Sequence, residues 1–266
     1  MQKPLVVIKL GGSVLTDKKR IYTPRMQMIH RAAEQIAAVR KRFSIVLVHG
    51  AGSYGHIPVT RFGLEDGFTG PKQLKRLAVT KFKLLEWERI LDETFLKHEV
   101  PLTPFLASDF IVTRKGRIVS AELEPLRIWM RLGCVPITGG DIVPDISKGF
   151  SILSGDQLAA YMASKLKAAR LVYGVDVDGI FDSNPKLNPK AQLLTDLAPS
   201  LASRLMAKPT FRTASDVTGG MGGKIKEAVI AARHQIPVYF VNMAKDKRLQ
   251  KAALGQRVLC SRILPT

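Results

Sequence analysis

Apolar and polar positions alternate between two patterns along the chain. Short, nearly unbroken apolar runs occur at LVVIKL (5–10), SIVLVHG (44–50), PLTPFLAS (101–108), CVPITGGD (134–141), RLVYGVDVDGIF (170–181), IPVYFVN (236–242) and RVLCSRI (257–263). Runs of this length predict strands buried on both faces. Between them, residues 24–42, 71–98, 155–168 and 222–234 show helical spacing of apolar positions. The longest of these stretches opens with Pro71, suited to a first helical turn, and residues 155–168 carry Asp156 near their start. FIVTRKGRIVS (110–120) predicts a hairpin turning at Lys115-Gly116, and IVPDISKGFSIL (142–153) predicts a second. Strands alternating with helices predict an α/β fold, a three-layer αβα sandwich around a central, mostly parallel sheet. In such sheets ligands bind beyond the carboxyl ends of the strands. The glycine turns KLGGS (9–13), HGAGSYGH (49–56), ITGGD (137–141) and GVDVDG (174–179) all fall at such ends.

Composition narrows the class. The chain has 266 residues, of which 46% are hydrophobic, enough to bury a large core and to exclude global disorder. No repeat or linker divides it. No apolar run approaches the roughly 20 residues that cross a bilayer, so no membrane association is expected. The start, MQKPLVVIKLGG, reads as a first strand rather than a secretory signal, because Lys9 interrupts its short apolar run. Cys134 and Cys260 sit in apolar segments without a partner motif, as in a reduced, cytoplasmic protein. The net charge of +19 raises the question of nucleic acid. Its basic groups are scattered, however (KKR at 18–20, RKR at 40–42, KQLKR at 72–76, RKGR at 114–117, KDKR at 245–248), and no aromatic array accompanies them. Nucleic acid is therefore not the expected partner, and the charge is left to an anionic substrate or a solvated basic surface.

Two known glycine patterns come close to these turns, and neither fits. Gly50, Gly52 and Gly55 satisfy G-x-G-x-x-G, but no acidic residue ends a strand about 20 residues later, and the stretch that follows is not a clean helix. Residues 218–225, TGGMGGKI, approach a P-loop but lack its first Gly and final Ser/Thr. What remains is a set of separate glycine turns with Lys9, Lys18 and Lys224 beside three of them. That equipment suits phosphoryl transfer: bare backbone N–H groups bind phosphate oxygens, and lysines offset charge on the transferred group.

The segments KLGGSVLTDK, HGAGSYGH, LSGDQLAA, GVDVDGIFDSNP and DVTGGMGGKI, in that order, resemble the amino acid kinase superfamily over essentially the whole chain. Lys18 after the first turn and His56 at the end of the second are similar to the isopentenyl phosphate kinases within it. The resemblance implies one domain spanning 1–266, with an acceptor-binding part at about 1–168 and an ATP-binding part at about 169–266. It also implies ATP as phosphoryl donor, Mg2+ held through phosphates and water, a small prenyl phosphate as acceptor, a place in the alternative mevalonate route to isoprenoids, and a homodimer. Another small phosphate or phosphonate such as fosfomycin is the neighbouring possibility. A nucleic-acid-binding or regulatory protein on a kinase scaffold is the alternative of another class.

Roles follow residue by residue from the same resemblance. Lys9 and Lys18 would contact the transferred phosphoryl group, with Lys19 aligned instead if the turn is shifted by one. Gly11, Gly12 and Ser13 would lay amides along the ATP phosphates. Gly50, Ala51 and Gly52 would lie between donor and acceptor phosphates; the family usually has three glycines there, and Ala51 is tolerable if its φ stays negative. His56 would hold the acceptor phosphate as a hydrogen-bond donor, and Gly155 would offer it an amide. Asp156 would pair with Lys9 and Lys18. Asp176, Asp178 and Gly179 would shape the nucleoside side, and Gly219, Gly220 and Lys224 would complete the donor site. Asp182 and Pro185 also match the superfamily pattern. His49 is expected to be a packing or hydrogen-bonding residue at a strand end. Leu77, Phe82, Leu85 and Ile90 are among the apolar positions that the 71–98 helix offers, with no contact to a prenyl tail assigned.

Overall fold

The computed structural model describes residues 3–185, 187–206 and 220–265. Its strands are β1 (Leu5–Leu10), β2 (Ser44–His49), β3 (Leu102–Pro104), β4 (Ile111–Arg114), β5 (Arg117–Ala121), β6 (Val135–Gly139), β7 (Asp141–Asp145), β8 (Gly149–Leu153), β9 (Arg170–Val175), β10 (Ile180–Phe181), β11 (Leu193–Leu194), β12 (Asp196–Leu197), β13 (Val238–Asn242) and β14 (Ser261–Ile263). Its helices are α1 (Gly12–Leu15), α2 (Met26–Val39), α3 (Gly52–Phe62), α4 (Leu74–Leu96), α5 (Ala107–Phe110), α6 (Glu124–Arg131), α7 (Gly155–Lys165), α8 (Pro199–Met206), α9 (Gly220–Arg233) and α10 (Arg248–Leu254).

Eight strands form the central sheet in the order β12-β14-β13-β9-β1-β2-β6-β3, parallel throughout except where β13 meets β14. This is the expected three-layer fold, and the burial pattern explains it. On β1, Val6, Ile8 and Leu10 pack on one face with α2, α4 and α10, while Val7 packs on the other with α7, α8 and α9. Both faces are apolar because both are covered, so the strand reads as a continuous run. Each fully buried Val, Leu or Ile contributes about 1.5–3 kcal/mol. A second sheet, β5-β4-β7-β8, contains both expected hairpins. Lys115 (φ 50°) and Gly116 (φ 73°) turn the first, the two consecutive positive φ angles that a tight hairpin needs.

One stretch behaves differently from its sequence. The second glycine turn runs at Gly52 into an 11-residue helix, α3, although Pro58 lies inside it. Proline and two glycines, Gly52 and Gly55, are poor helix formers, and packing overrides them: Tyr54 and Val59 are buried, and Tyr54 stacks on Trp87 of α4 at 5.2 Å. The closing RVLCSRI run shortens to three strand residues, Ser261–Ile263. Both cysteines are free thiols. Among the described residues no helix is long and apolar enough to cross a membrane.

Candidate active site

Register brings the glycine turns together. Leu10 of β1 lies opposite His49 of β2 and Gly174 of β9, and His49 lies opposite Gly139 of β6. Four strands thus end at one level, and a cavity of about 770 Å3 opens beyond them. The first residues of three helices, Gly52 of α3, Gly155 of α7 and Gly220 of α9, line it. Each helix N-terminus carries free N–H groups and about half a positive charge. Their convergence makes a site for a polyanion.

The turns leave no room for side chains. A Cβ on Gly12 would stand 2.7 Å from the Gly52 nitrogen, and one on Gly50 would stand 2.7 Å from the Gly12 nitrogen. Gly52 has φ 52°, and a Cβ there would meet Thr16 Oγ1 at 2.3 Å. Thr16 locks the pair of turns, donating to the Gly12 carbonyl (2.8 Å) and accepting from the Ser53 N–H (3.0 Å). Ala51 is accommodated because its φ is −64°. Its methyl fills the space a Cβ on Gly55 would need, 2.4 Å away.

Lys9 points to the α7 side of the sheet. Its ammonium lies 2.8 Å from Asp156 Oδ1, and Lys224 reaches Asp156 Oδ2 at 3.1 Å. Lys9 is 4% exposed and Asp156 3%, so each charge depends on its partner. Burial alone would push the Asp156 carboxyl up, but Lys224 and Lys9 outweigh it and hold the group down to about 2. The buried Tyr173 hydroxyl donates to the Asp156 carbonyl at 3.0 Å, and burial, then the Asp156 and Glu227 charges, pushes that phenol well up.

Of the residues read from sequence, Lys9, Gly12, Ser13, Lys18, Gly50, Ala51, Gly52, His56, Gly155, Asp156, Asp176, Gly179, Gly220 and Lys224 line the cavity, as does Pro185. Three expectations change. Asp156 pairs with Lys9 and Lys224 rather than with Lys18, which is exposed at the rim; α9 packs along α7 and delivers Lys224 first. Gly11 does not line the cavity, and its N–H donates to the Gly174 carbonyl (2.9 Å), joining β1 to β9. Asp178 is turned away from the cavity to Arg248 (2.7 Å) and Asn242 (2.9 Å). Gly219 lies outside the described residues. His56 sits one turn into α3 rather than at the end of a loop, and Asp182 accepts from the Gln192 N–H within its own loop.

Sequence reasoning missed one wall of the cavity. Ile57 and Val59 of α3, Leu84 of α4, and Ile142 and Ile152 of the β7–β8 hairpin form an apolar lining. None of the α4 positions singled out from sequence belongs to it. Phe82 and Leu85 face solvent, Ile90 packs into the core under β1 and β2, and Leu77 packs beside Val59 and Leu64. Asp141, also missed, lines the cavity and is held by Lys81 at 2.6–2.7 Å.

The amino acid kinase family model matches residues 4–242, and the chain belongs to that family. Within it, the chain is 33% identical to the isopentenyl phosphate kinase of Methanothermobacter thermautotrophicus, over 97% of this chain and 98% of that protein. It is 29% identical to the isopentenyl phosphate kinase of Thermoplasma acidophilum over 92% and 94% of the two chains. An X-ray structure of an isopentenyl phosphate kinase superposes with a TM-score of 0.84 at 28% identity, covering 97% of this chain and 99% of the other.

Proposed function

We propose that this chain transfers the γ-phosphoryl group of ATP to isopentenyl phosphate, giving isopentenyl diphosphate and ADP. One observation carries the reading: a polyanion site built from three helix N-termini and Lys9–Asp156–Lys224 shares its cavity with an apolar wall. Near full-length likeness to isopentenyl phosphate kinases supports it.

The acceptor's phosphate oxygen bonds to the γ-phosphorus as the bond to the β–γ bridging oxygen breaks, and ADP leaves with that electron pair. The attacking oxygen is already anionic, so no general base is needed, and the protein's task is positioning and charge compensation. Lys9 and Lys224 neutralise charge on the transferred group, while Asp156 keeps the two ammonium groups apart and aimed. Gly12, Ser13 and the Gly50–Gly52 turn supply amides along the phosphates. His56 donates to the acceptor phosphate, with Gly155 beside it. Lys18 reaches the γ-phosphate from the rim. Asp176, Gly179 and Gly220 border the nucleotide. Ile57, Leu84, Ile142 and Ile152 take the prenyl tail.

A magnesium ion suits this site when carried on the nucleotide, since lysines already engage the Asp156 and Asp141 carboxylates. Bound there, it would screen charge between donor and acceptor phosphates. The same reading assigns the acceptor to about 1–168 and ATP to about 169–266. It extends to a cytoplasmic homodimer serving the alternative mevalonate route.

The test is an ADP-release assay with ATP, magnesium and, in separate arms, isopentenyl phosphate, dimethylallyl phosphate, fosfomycin or no acceptor. Turnover strongest with isopentenyl phosphate is expected. Turnover with fosfomycin alone would move the activity to a phosphonate kinase, and turnover with none would overturn the reading.

A further inference from the structure

His49 has no part in the scheme above, yet it touches two neighbouring turns at the cavity, those at Gly139–Gly140 and at Gly155. Its carbonyl accepts the Gly140 N–H at 3.0 Å. The same oxygen stands 2.8 Å from where a Cβ on Gly155 would lie, and its ring Cε1 stands 2.0 Å from where one on Gly139 would lie. The ring itself is buried and contacts α4. Trp87 Nε1–H is shared between His49 Nδ1 (3.2 Å) and the Gly50 carbonyl (3.1 Å). His49 Nδ1 also lies 3.3 Å from that carbonyl, so ring and indole close on one oxygen: an imidazole protonated on Nε2 accepts from the indole at Nδ1, and one protonated on Nδ1 donates to the carbonyl directly. Nε2 faces Glu88 Oε1 at 3.6 Å, with both groups buried. Trp87 is held on its other side by the stack with Tyr54 of α3.

This arrangement fixes one peptide plane. No cis peptide occurs among the described residues, so the Gly50 carbonyl and the Ala51 N–H point in opposite directions. Trp87, which does not line the cavity, holds the carbonyl and so turns the Ala51 N–H away from itself. Ala51 lies on the cavity wall. We propose that His49 is a positioning residue: with Glu88 and Trp87 it forms a relay that holds the Gly50–Ala51 peptide with its N–H turned to the transferred phosphoryl group. The proposal rests on the phosphoryl-transfer reading of the site. It goes beyond that reading in giving work to three residues that touch neither substrate.

The experiment combines kinetics with 15N-indole NMR. The chain has two tryptophans, so two indole signals are expected, and Trp87→Phe assigns them. Trp87→Phe keeps an aromatic ring against Tyr54 but removes the N–H. His49→Asn keeps an acceptor near Nδ1, and His49→Leu removes it. Removing one preorganised donor outright lowers kcat by about 100–1000-fold, so loosening its aim is expected to cost about tenfold or more. Trp87→Phe and His49→Leu should show this loss, with KM for ATP and acceptor within about threefold of wild type, while His49→Asn recovers most of kcat. The Trp87 indole signal should move in His49→Leu and Glu88→Gln, and the Trp129 signal should stay in place. A Trp87 signal unmoved in both variants overturns the relay, whatever the acceptor proves to be. A moved signal with kcat and KM at wild-type values, or a loss of melting temperature with full kcat per folded site, overturns the positioning role. A wild-type chain that turns over no acceptor overturns the reading of the site instead, and the NMR arm still judges the relay.

Discussion

Replacing Asp156 with asparagine removes one negative charge from between two ammonium groups and changes almost nothing in volume. In the folded chain Lys9 and Lys224 lie 2.8 and 3.1 Å from that carboxylate, and Lys9 is nearly inaccessible to water. Breaking a buried pair by removing one partner costs about 3–5 kcal/mol. The carboxyl's fall from 3.8 to about 2 independently corresponds to roughly 2 kcal/mol of preference for the charged form. Taking the larger range, the melting temperature without ligand should fall by roughly 6–20 °C. Asp156 titrates lower in the folded than in the unfolded chain. Its contribution is therefore complete above about pH 4 and is lost as pH falls toward 2. Asp156→Asn should thus be less sensitive than wild type to acid over that window. A triphosphate restores countercharge to the two lysines, so ATP should raise the variant's melting temperature more than the wild type's, while kcat falls because the lysines are no longer aimed. Differential scanning calorimetry with and without ATP, beside steady-state rates, reads all of this. A variant that melts within about 2 °C of wild type without ligand, and turns over normally, would refute the electrostatic account of this triad.

Three further outcomes follow from the same geometry. Gly52→Ala should abolish turnover, because a methyl must enter a left-handed backbone position 2.3 Å from Thr16 Oγ1, whereas Ala51→Gly should stay within about threefold of wild-type kcat/KM. Lys18→Ala should leave the melting temperature within about 1 °C, since the residue is exposed, and lower kcat by about tenfold or more through lost charge on the γ-phosphate; unchanged kcat would remove Lys18 from the site. Leu84→Phe crowds the apolar wall and should raise KM for the prenyl acceptor by about tenfold without changing KM for ATP.

The fold was legible where burial is two-sided. β1, β2, β6 and β9 appear as apolar runs because helices cover both faces, and their glycine exits marked the ligand edge of the sheet. α3 was obscured: two glycines and Pro58 hide a helix that tertiary packing imposes. The lysines, the Gly50–Gly52 turn and His56 could be named from the order of the glycine motifs together with the family resemblance they carry. Their pairing could not. Lys224 and Asp156 are 68 residues apart, and only the packing of α9 on α7 brings the second ammonium to the carboxylate in place of Lys18. Gly11 and Asp178 have the right residue types beside the right turns, but Gly174, Arg248 and Asn242 take up their hydrogen bonds. The apolar wall needed the rotational phase of α4. Helical spacing marks Leu84 and Leu85 alike as apolar, and only packing shows that Leu84 turns inward and Leu85 outward.

The most direct measurement is 31P NMR of the chain with ATP, magnesium and isopentenyl phosphate. The account predicts that the acceptor's monoester signal gives way to the coupled pair of a diphosphate as ADP appears in equal amount, and that His56→Ala largely abolishes the conversion. A monoester signal that persists, whether ATP is consumed to free phosphate or left intact, would contradict it.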